Sequence, residues 1–371
     1  MNPTLALGRI AGIRIGINWS WLIVFGLIVW TLGVSVFPNQ DPNLSGATYA
    51  AMAVVAAILF FGSLLLHELG HAFQARREGM EIEGITLWLF GGVASFRGMF
   101  PSAGAELRIA LAGPAVSAVL GGLFVGIAAA AHRPLAVNGV ASWLGYINVL
   151  LLAFNMLPAL PLDGGRVFRA LLWRGKRDFA AATRLAGEVG RALAYAMIGL
   201  GLLTLILGGS WGGAWLAFLG WFLLQAAGME VRSLVLRDAL GGLRVRDLMV
   251  RDPIVVTADT TLAEFMDGVA FAHRYTTYPV LDDGAVVGLL PFACVARVAR
   301  SAWHETRVRD CMLRREDVPT VSEDEEVLAA VDQMNAGGIN RALVVDGGRL
   351  EGLLSITDVV RLVSWKTAGR T

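Results

Sequence analysis

His67-Glu68-Leu69-Gly70-His71 is the stretch of this chain whose residue types and spacing speak most directly of chemistry. Residues four apart share one face of a helix. His67 and His71 can therefore hold one metal ion. Glu68, one position round, faces the water such an ion activates and serves as general base. The motif closes an apolar run from Ala50 to Leu66. Ionisable groups at membrane depth are costly and seldom kept without a function.

A hydrolytic zinc site takes three protein ligands and keeps a fourth position open. Asp163 follows Asn155-Met156-Leu157-Pro158-Ala159-Leu160-Pro161-Leu162 and precedes Gly164-Gly165. The two prolines interrupt the helix, and non-helical backbone at membrane depth is tolerated where it is buried in protein or lines a watery cavity. Such a break lets a carboxylate approach the metal. The other reading of Asp163 is an Asp-Gly turn after a span. Asn155, an amide in an apolar run, either bonds across helices or donates to a developing oxyanion. Other candidates are poorly placed: His132 falls on the far side of the membrane, and His273 and His304 lie in the polar half. Glu106, Asp178, Glu188 and Glu230 read as solvated span ends.

The elements that must position these groups follow from composition. A mean hydropathy of +0.60, with 56% hydrophobic and 16% charged residues, excludes an ordinary soluble protein. Residues 1–230 carry 14 Lys/Arg and 10 Asp/Glu, and the remaining 141 carry 17 and 20, so a membrane domain (1–235) precedes a soluble one. The net charge of +1 gives no support to nucleic-acid binding. Cys294 and Cys311 lack metal-type spacing and are expected as free thiols in a reducing compartment. The first apolar run follows Asn18 without a small-residue cleavage site, so no cleavable signal is expected.

Six spans are expected near 18–37, 50–73, 106–131, 140–160, 186–208 and 212–230. Loops on one side hold Arg9, Arg14, Arg76, Arg77, Arg97, Arg108 and the basic group from Arg166 to Arg184, whereas the other side holds Arg133. This asymmetry predicts a multi-pass protein of the cell membrane with both termini and the soluble half in the cytoplasm. Between the second and third spans, Glu81–Phe96 reads as a hairpin punctuated by Gly91-Gly92, against the membrane beside the histidines. It serves either as a structural connection or as a substrate-binding edge.

The pairing of His67-Glu68-Leu69-Gly70-His71 with the segment Asn155–Gly164 resembles the site-2 protease family of intramembrane zinc metalloproteases. The Phe90-Gly91-Gly92 hairpin and Asn18-Trp19-Ser20-Trp21 are similar to its prokaryotic branch. The resemblance implies one Zn2+ per chain held by His67, His71 and Asp163, with Glu68 activating water. It also implies Asn155 near the scissile carbonyl, a hairpin that pairs with unwound substrate, and a transmembrane protein substrate met within the lipid bilayer. Regulated intramembrane proteolysis is the expected activity. A membrane metal hydrolase of lipids or small molecules and a gated transporter or channel are the alternatives.

The soluble half repeats itself. Arg244-Val245-Arg246-Asp247-Leu248-Met249 recurs as Arg307-Val308-Arg309-Asp310-Cys311-Met312, and Asp-Gly turns are expected at 283–284 and 346–347. The repeats, 244–300 and 307–365, resemble a tandem pair of cystathionine-β-synthase-type (CBS) domains, which implies an α/β module and a possible homodimer through it. Gly352, Ser355 and Asp358 match that family's nucleotide pattern, implying an adenine nucleotide at the second repeat. The first repeat has Pro291 and Cys294 at the polar positions. A purely structural module or dimerisation surface is the other reading. The fold class expected is thus a multi-pass α-helical membrane protein of about six transmembrane helices with a small membrane-associated β-hairpin or sheet, plus a C-terminal α/β tandem CBS module.

Overall fold

A computed structural model of the chain describes residues 4–88, 91–96, 98–131, 135–209 and 211–368. His132, Arg133, Leu89, Phe90 and Arg97 lie outside the described residues. The chain divides into two units, Met1–Arg232 and Ser233–Thr371.

Six helices of the first unit are long and apolar enough to cross a membrane: Ser20–Gln40, Gly46–Arg77, Ala103–Ala130, Leu135–Asn155, Phe179–Gly208 and Trp211–Glu230. They are numbered below as the first to sixth spans. The chain is a multi-pass α-helical membrane protein. The second span starts where Ser45 Oγ accepts from the Thr48 amide (3.2 Å) and ends with Arg76 and Arg77 in its last turn. Those charges suit the negative end of the helix dipole. Gly79, at φ +82°, turns the chain away. The third span is capped by Ser102. It passes so close to the second that a Cβ at Gly70 would stand 2.9 Å from the Ala112 carbonyl oxygen. Small residues at such crossings let helices pack without a hydrophobic driving force.

The fourth span stops at Asn155, short of the expected 160, because Pro158 cannot continue it. The chain turns back through Ala159 and Leu160, both fully buried, and restarts as a short helix, Asp163–Lys176. Asp163 is therefore the first residue of a helix. Gly164 and Gly165 seat that helix on the turn, since a methyl at either would overlap the backbone of Met156 or Ala159.

The expected hairpin forms from two antiparallel strands, Ile82–Trp88 and Gly91–Phe96. An unforeseen hairpin, Leu5–Ile10 with Ile13–Ile17, joins it. With strands β1 to β4 in chain order, the sheet runs β1-β2-β3-β4 and β2 lies parallel to β3. Ile13 and Ile85 pack on Leu69 and Ala72 of the second span, which fixes the sheet beside the histidines. β4 is one of its two edge strands, β1 being the other.

The second unit holds two further four-stranded sheets. Their strands are β5 (Val250–Arg251), β6 (Val256–Thr257), β7 (Thr277–Asp282), β8 (Ala285–Pro291), β9 (Leu313–Arg314), β10 (Thr320–Val321), β11 (Arg341–Asp346) and β12 (Arg349–Ser355). The orders are β6-β7-β8-β9 and β10-β11-β12-β5, so the opening strand of each repeat joins the sheet of the other. Val245 is buried with Val321, Val327 and Val344, and Val308 with Val256, Leu262 and Phe265. The chain boundaries of the repeats are thus not the boundaries of their cores. The glycines of the repeat serve this exchange: a methyl at Gly288 would overlap the Leu313 carbonyl, and one at Gly352 would press on Met249 and Val250. Asp283-Gly284 turns with both φ positive, as a two-residue hairpin loop requires. In the second repeat the turn is Gly347-Gly348, one residue later than expected. Cys294 and Cys311 are free thiols.

Candidate metal centre

His67 and His71, about one turn apart on the second span, meet a carboxylate that lies 96 residues beyond His67 in the chain. His67 Nε2 lies 3.1 Å from Asp163 Oδ2, His71 Nε2 lies 3.2 Å from the same oxygen, and the two Nε2 atoms are 3.2 Å apart. All three residues are buried. Donor atoms about 2.0–2.1 Å from a tetrahedral zinc ion stand about 3.3 Å from one another. The triangle fits that coordination.

The protonation of the rings supports the fit. His71 Nδ1 donates to the Ile109 carbonyl at 2.7 Å, and a carbonyl can only accept. A neutral ring then carries its lone pair on Nε2, toward Asp163. His67 Nδ1 meets Ser117 Oγ at 2.9 Å, which holds the ring in place while leaving either group free to donate. Acceptors crowding one buried point call for a cation, and imidazoles oriented through their second nitrogen are the usual form of zinc ligand.

Ile109, Gly113 and Ser117 lie four residues apart on one face of the third span. The middle position has no room for a side chain: a Cβ at Gly113 would overlap His71 Nε2 and lie 2.7 Å from His67 Nε2. That face was not picked out from the sequence, although its small residues at helical spacing were a usable signal. Glu68 is half-buried, and Gly92 of β4 rests on it so closely that a methyl there would overlap Glu68 Cγ. This edge strand of the sheet is therefore in contact with the general-base candidate.

Asn155 ends the fourth span, half-buried. The amides seen bonding across helices are Asn148, which donates to Ser63 Oγ at 3.4 Å, and Asn138, which donates to the Ala128 carbonyl at 2.6 Å. Glu106 is no solvated span end. It is wholly buried against Arg169, with Glu230 on the other side of that guanidinium. It lies in the first turn of the third span, a place that local sequence leaves open to water, but the helix carrying Arg169 covers it. Asp178 behaves as a cap, its carboxylate accepting from the Ala181 amide. Arg108 forks onto Glu78 (2.7 and 2.8 Å), and these bonds hold the Glu78 carboxyl below the usual carboxylate range. His304 is exposed and His273 stacks on Tyr275, both in the second unit. Gly352, Ser355 and Asp358 stand at the end of β12 and the start of helix Ile356–Ala368. There Ser355 Oγ accepts from the Asp358 amide at 3.1 Å.

The model of peptidase family M50 matches residues 55–135 and 125–197, and that of the CBS domain matches 245–298 and 308–364. Rip3 of Mycobacterium tuberculosis is 38% identical over 368 residues, covering 98% of this chain and 93% of its own. The chain belongs to peptidase family M50. Zinc metalloprotease MJ0392 of Methanocaldococcus jannaschii is 32% identical over 366 residues, covering 98% of this chain and 97% of its own. The solved structure of the site-2 protease from Methanocaldococcus jannaschii matches at 30% identity and a TM-score of 0.44, covering 61% of this chain and 94% of that one. The M50 chain described here is a zinc metalloprotease carrying a tandem CBS module, and the transporter reading is set aside.

Ser117→Ala removes the partner of His67 Nδ1 and leaves the donor triangle in place. Zinc affinity, read by competition with a chelator, is expected to fall about 10- to 100-fold. Affinity equal to the unsubstituted protein would show that Ser117 does not orient the ring.

Proposed function

We propose that this M50 protease cuts a peptide bond within a transmembrane segment of a substrate protein, near the cytoplasmic face. The observation that carries the reading is the depth of the donor triangle. His67 sits ten residues before the end of the second span, about 15 Å along it, among residues apolar enough to cross the bilayer. His67, His71 and Asp163 would hold the zinc ion, which when bound would supply a Lewis acid and lower the pKa of water toward neutrality. Glu68 takes the proton from the attacking water and returns it to the leaving amine as the C–N bond breaks. Asn155 donates from Nδ2 to the scissile carbonyl as charge develops on it.

A transmembrane substrate is protected because its carbonyls are bonded along its own helix. It must unwind first. The open edge of β4, resting on Glu68 at Gly92, suits an extended segment added as a fifth strand. The basic residues Arg76, Arg77, Arg174, Lys176 and Arg177 at the ends of the second span and of the short helix support a cytoplasmic placement of this face, of both termini and of the soluble unit. An adenine nucleotide at Ser355 and Asp358, and a homodimer through the soluble repeats, complete the proposal. The first repeat, with Pro291 and Cys294, offers no equivalent pair of polar groups.

Glu68→Gln is expected to abolish cleavage of a model transmembrane peptide in detergent while zinc content stays at one per chain. Cleavage that persists would remove Glu68 from the mechanism, and a chain that instead hydrolyses lipid would favour the alternative substrate class. Proline placed separately at Ala94 and Ser95 blocks an outward amide in one of the two variants. That variant should lose at least tenfold in cleavage with zinc retained, whereas two normal variants would rule out strand addition. Titration of the full chain with AMP or ATP should show one site, lost in Asp358→Ala. Sedimentation during that titration reads the dimer: a monomer throughout would contradict it.

A further inference from the structure

Arg169 is charged, 3% exposed and unused by the chemistry above. It lies on the short helix that begins at Asp163. Its Nε donates to Glu106 Oε1 at 2.7 Å, its Nη1 to Glu230 Oε1 at 3.1 Å, and its guanidinium lies 4.9 Å from the centre of the Phe179 ring. Glu106 is fully buried, and its other oxygen has no hydrogen-bond partner, so Arg169 is what compensates that carboxylate. A buried charge left without its partner is strongly unfavourable, which makes the fork a fixed point.

Glu106 stands one turn before Ile109 on the third span, and Ile109 and Ser117 are the groups that orient His71 and His67. All three candidate ligands are therefore referenced to residues 106–117: the histidines directly, and Asp163 through its helix and Arg169. The close glycine contacts at 164 and 165 seat the start of that helix on Met156 and Ala159, and Arg169 ties it more than a turn further along. Rotation matters. A carboxylate about 5 Å from a helix axis moves by roughly 1 Å for a 10° turn, which exceeds the tolerance of a metal site.

We infer that Arg169 is a positioning residue: its fork onto Glu106 and Glu230 fixes the rotation of helix Asp163–Lys176 and so aims the Asp163 carboxylate at the two histidine Nε2 atoms. The inference rests on the reading of Asp163 as a metal ligand. Glu230 closes the last membrane span, so the fork also ties the Asp163 helix to that span's end.

The test measures zinc dissociation constants by chelator competition on the full chain in detergent, alongside peptide cleavage. Arg169→Gln is expected to weaken zinc about 10- to 100-fold and to lower kcat with KM for the peptide unchanged. Arg169→Lys, which keeps the charge but not the fork, should fall between it and the unsubstituted protein. Glu230→Gln, which leaves the Glu106 pair intact, should weaken zinc a few-fold. If Arg169→Gln does not fold, Arg169→Lys is read in its place. Unchanged zinc affinity in a folded Arg169 variant would overturn the proposal. Asp163→Ala provides the separate control: zinc bound as tightly as before would overturn the ligand assignment beneath it.

Discussion

Three lone pairs aimed at one buried point are the constraint around which the membrane unit is organised. Two imidazole Nε2 atoms and a carboxylate oxygen, 3.1–3.2 Å apart in an apolar medium, form a donor set that a cation would satisfy. A helix can place two of these ligands by itself, because positions four apart share a face. The third must come from elsewhere, and the chain delivers it by breaking the fourth span at Pro158 and starting a new helix at Asp163. Backbone left unpaired in lipid costs several kcal/mol per group. The turn is accordingly buried in protein, at Ala159 and Leu160.

The third span does the quiet part of this work. It contributes no ligand, yet Ile109 and Ser117 set both ring orientations and Gly113 leaves the space in which the donors meet. A metal centre described by its ligands alone would omit this helix entirely. The same economy appears at the sheet. Gly92 allows β4 to touch Glu68, so that a strand edge and the general-base candidate are in contact. Fold and chemistry meet at glycines here because only the absence of a Cβ permits such approaches.

Several of these features were readable from residue order, and the reason is locality. His67, Glu68 and His71 announce themselves through helical spacing, and the Pro158/Pro161 interruption marks Asp163. The six spans show themselves through the length of their apolar runs, although their ends shift by a few residues where caps such as Ser45 and Ser102 decide them. What escaped depends on distant partners. Glu106 looked solvated because nothing nearby in the chain reveals Arg169, 63 residues on. The hairpin at Leu5–Ile17 does alternate, at Ile13-Arg14-Ile15-Gly16-Ile17, but that run is short and its parallel partner β3 lies far along the chain. The exchange of opening strands between the soluble repeats is likewise invisible to self-comparison of the sequence. A repeat in the chain looks the same whether its first strand pairs at home or with its neighbour.

X-ray absorption at the zinc edge of the purified full-length protein tests the coordination most directly. Two imidazole nitrogens and light oxygen donors, in a four-coordinate shell that loses one protein oxygen in Asp163→Ala, are the expected result. A shell containing sulfur, a six-oxygen shell, or a spectrum unaltered by that substitution would contradict the account.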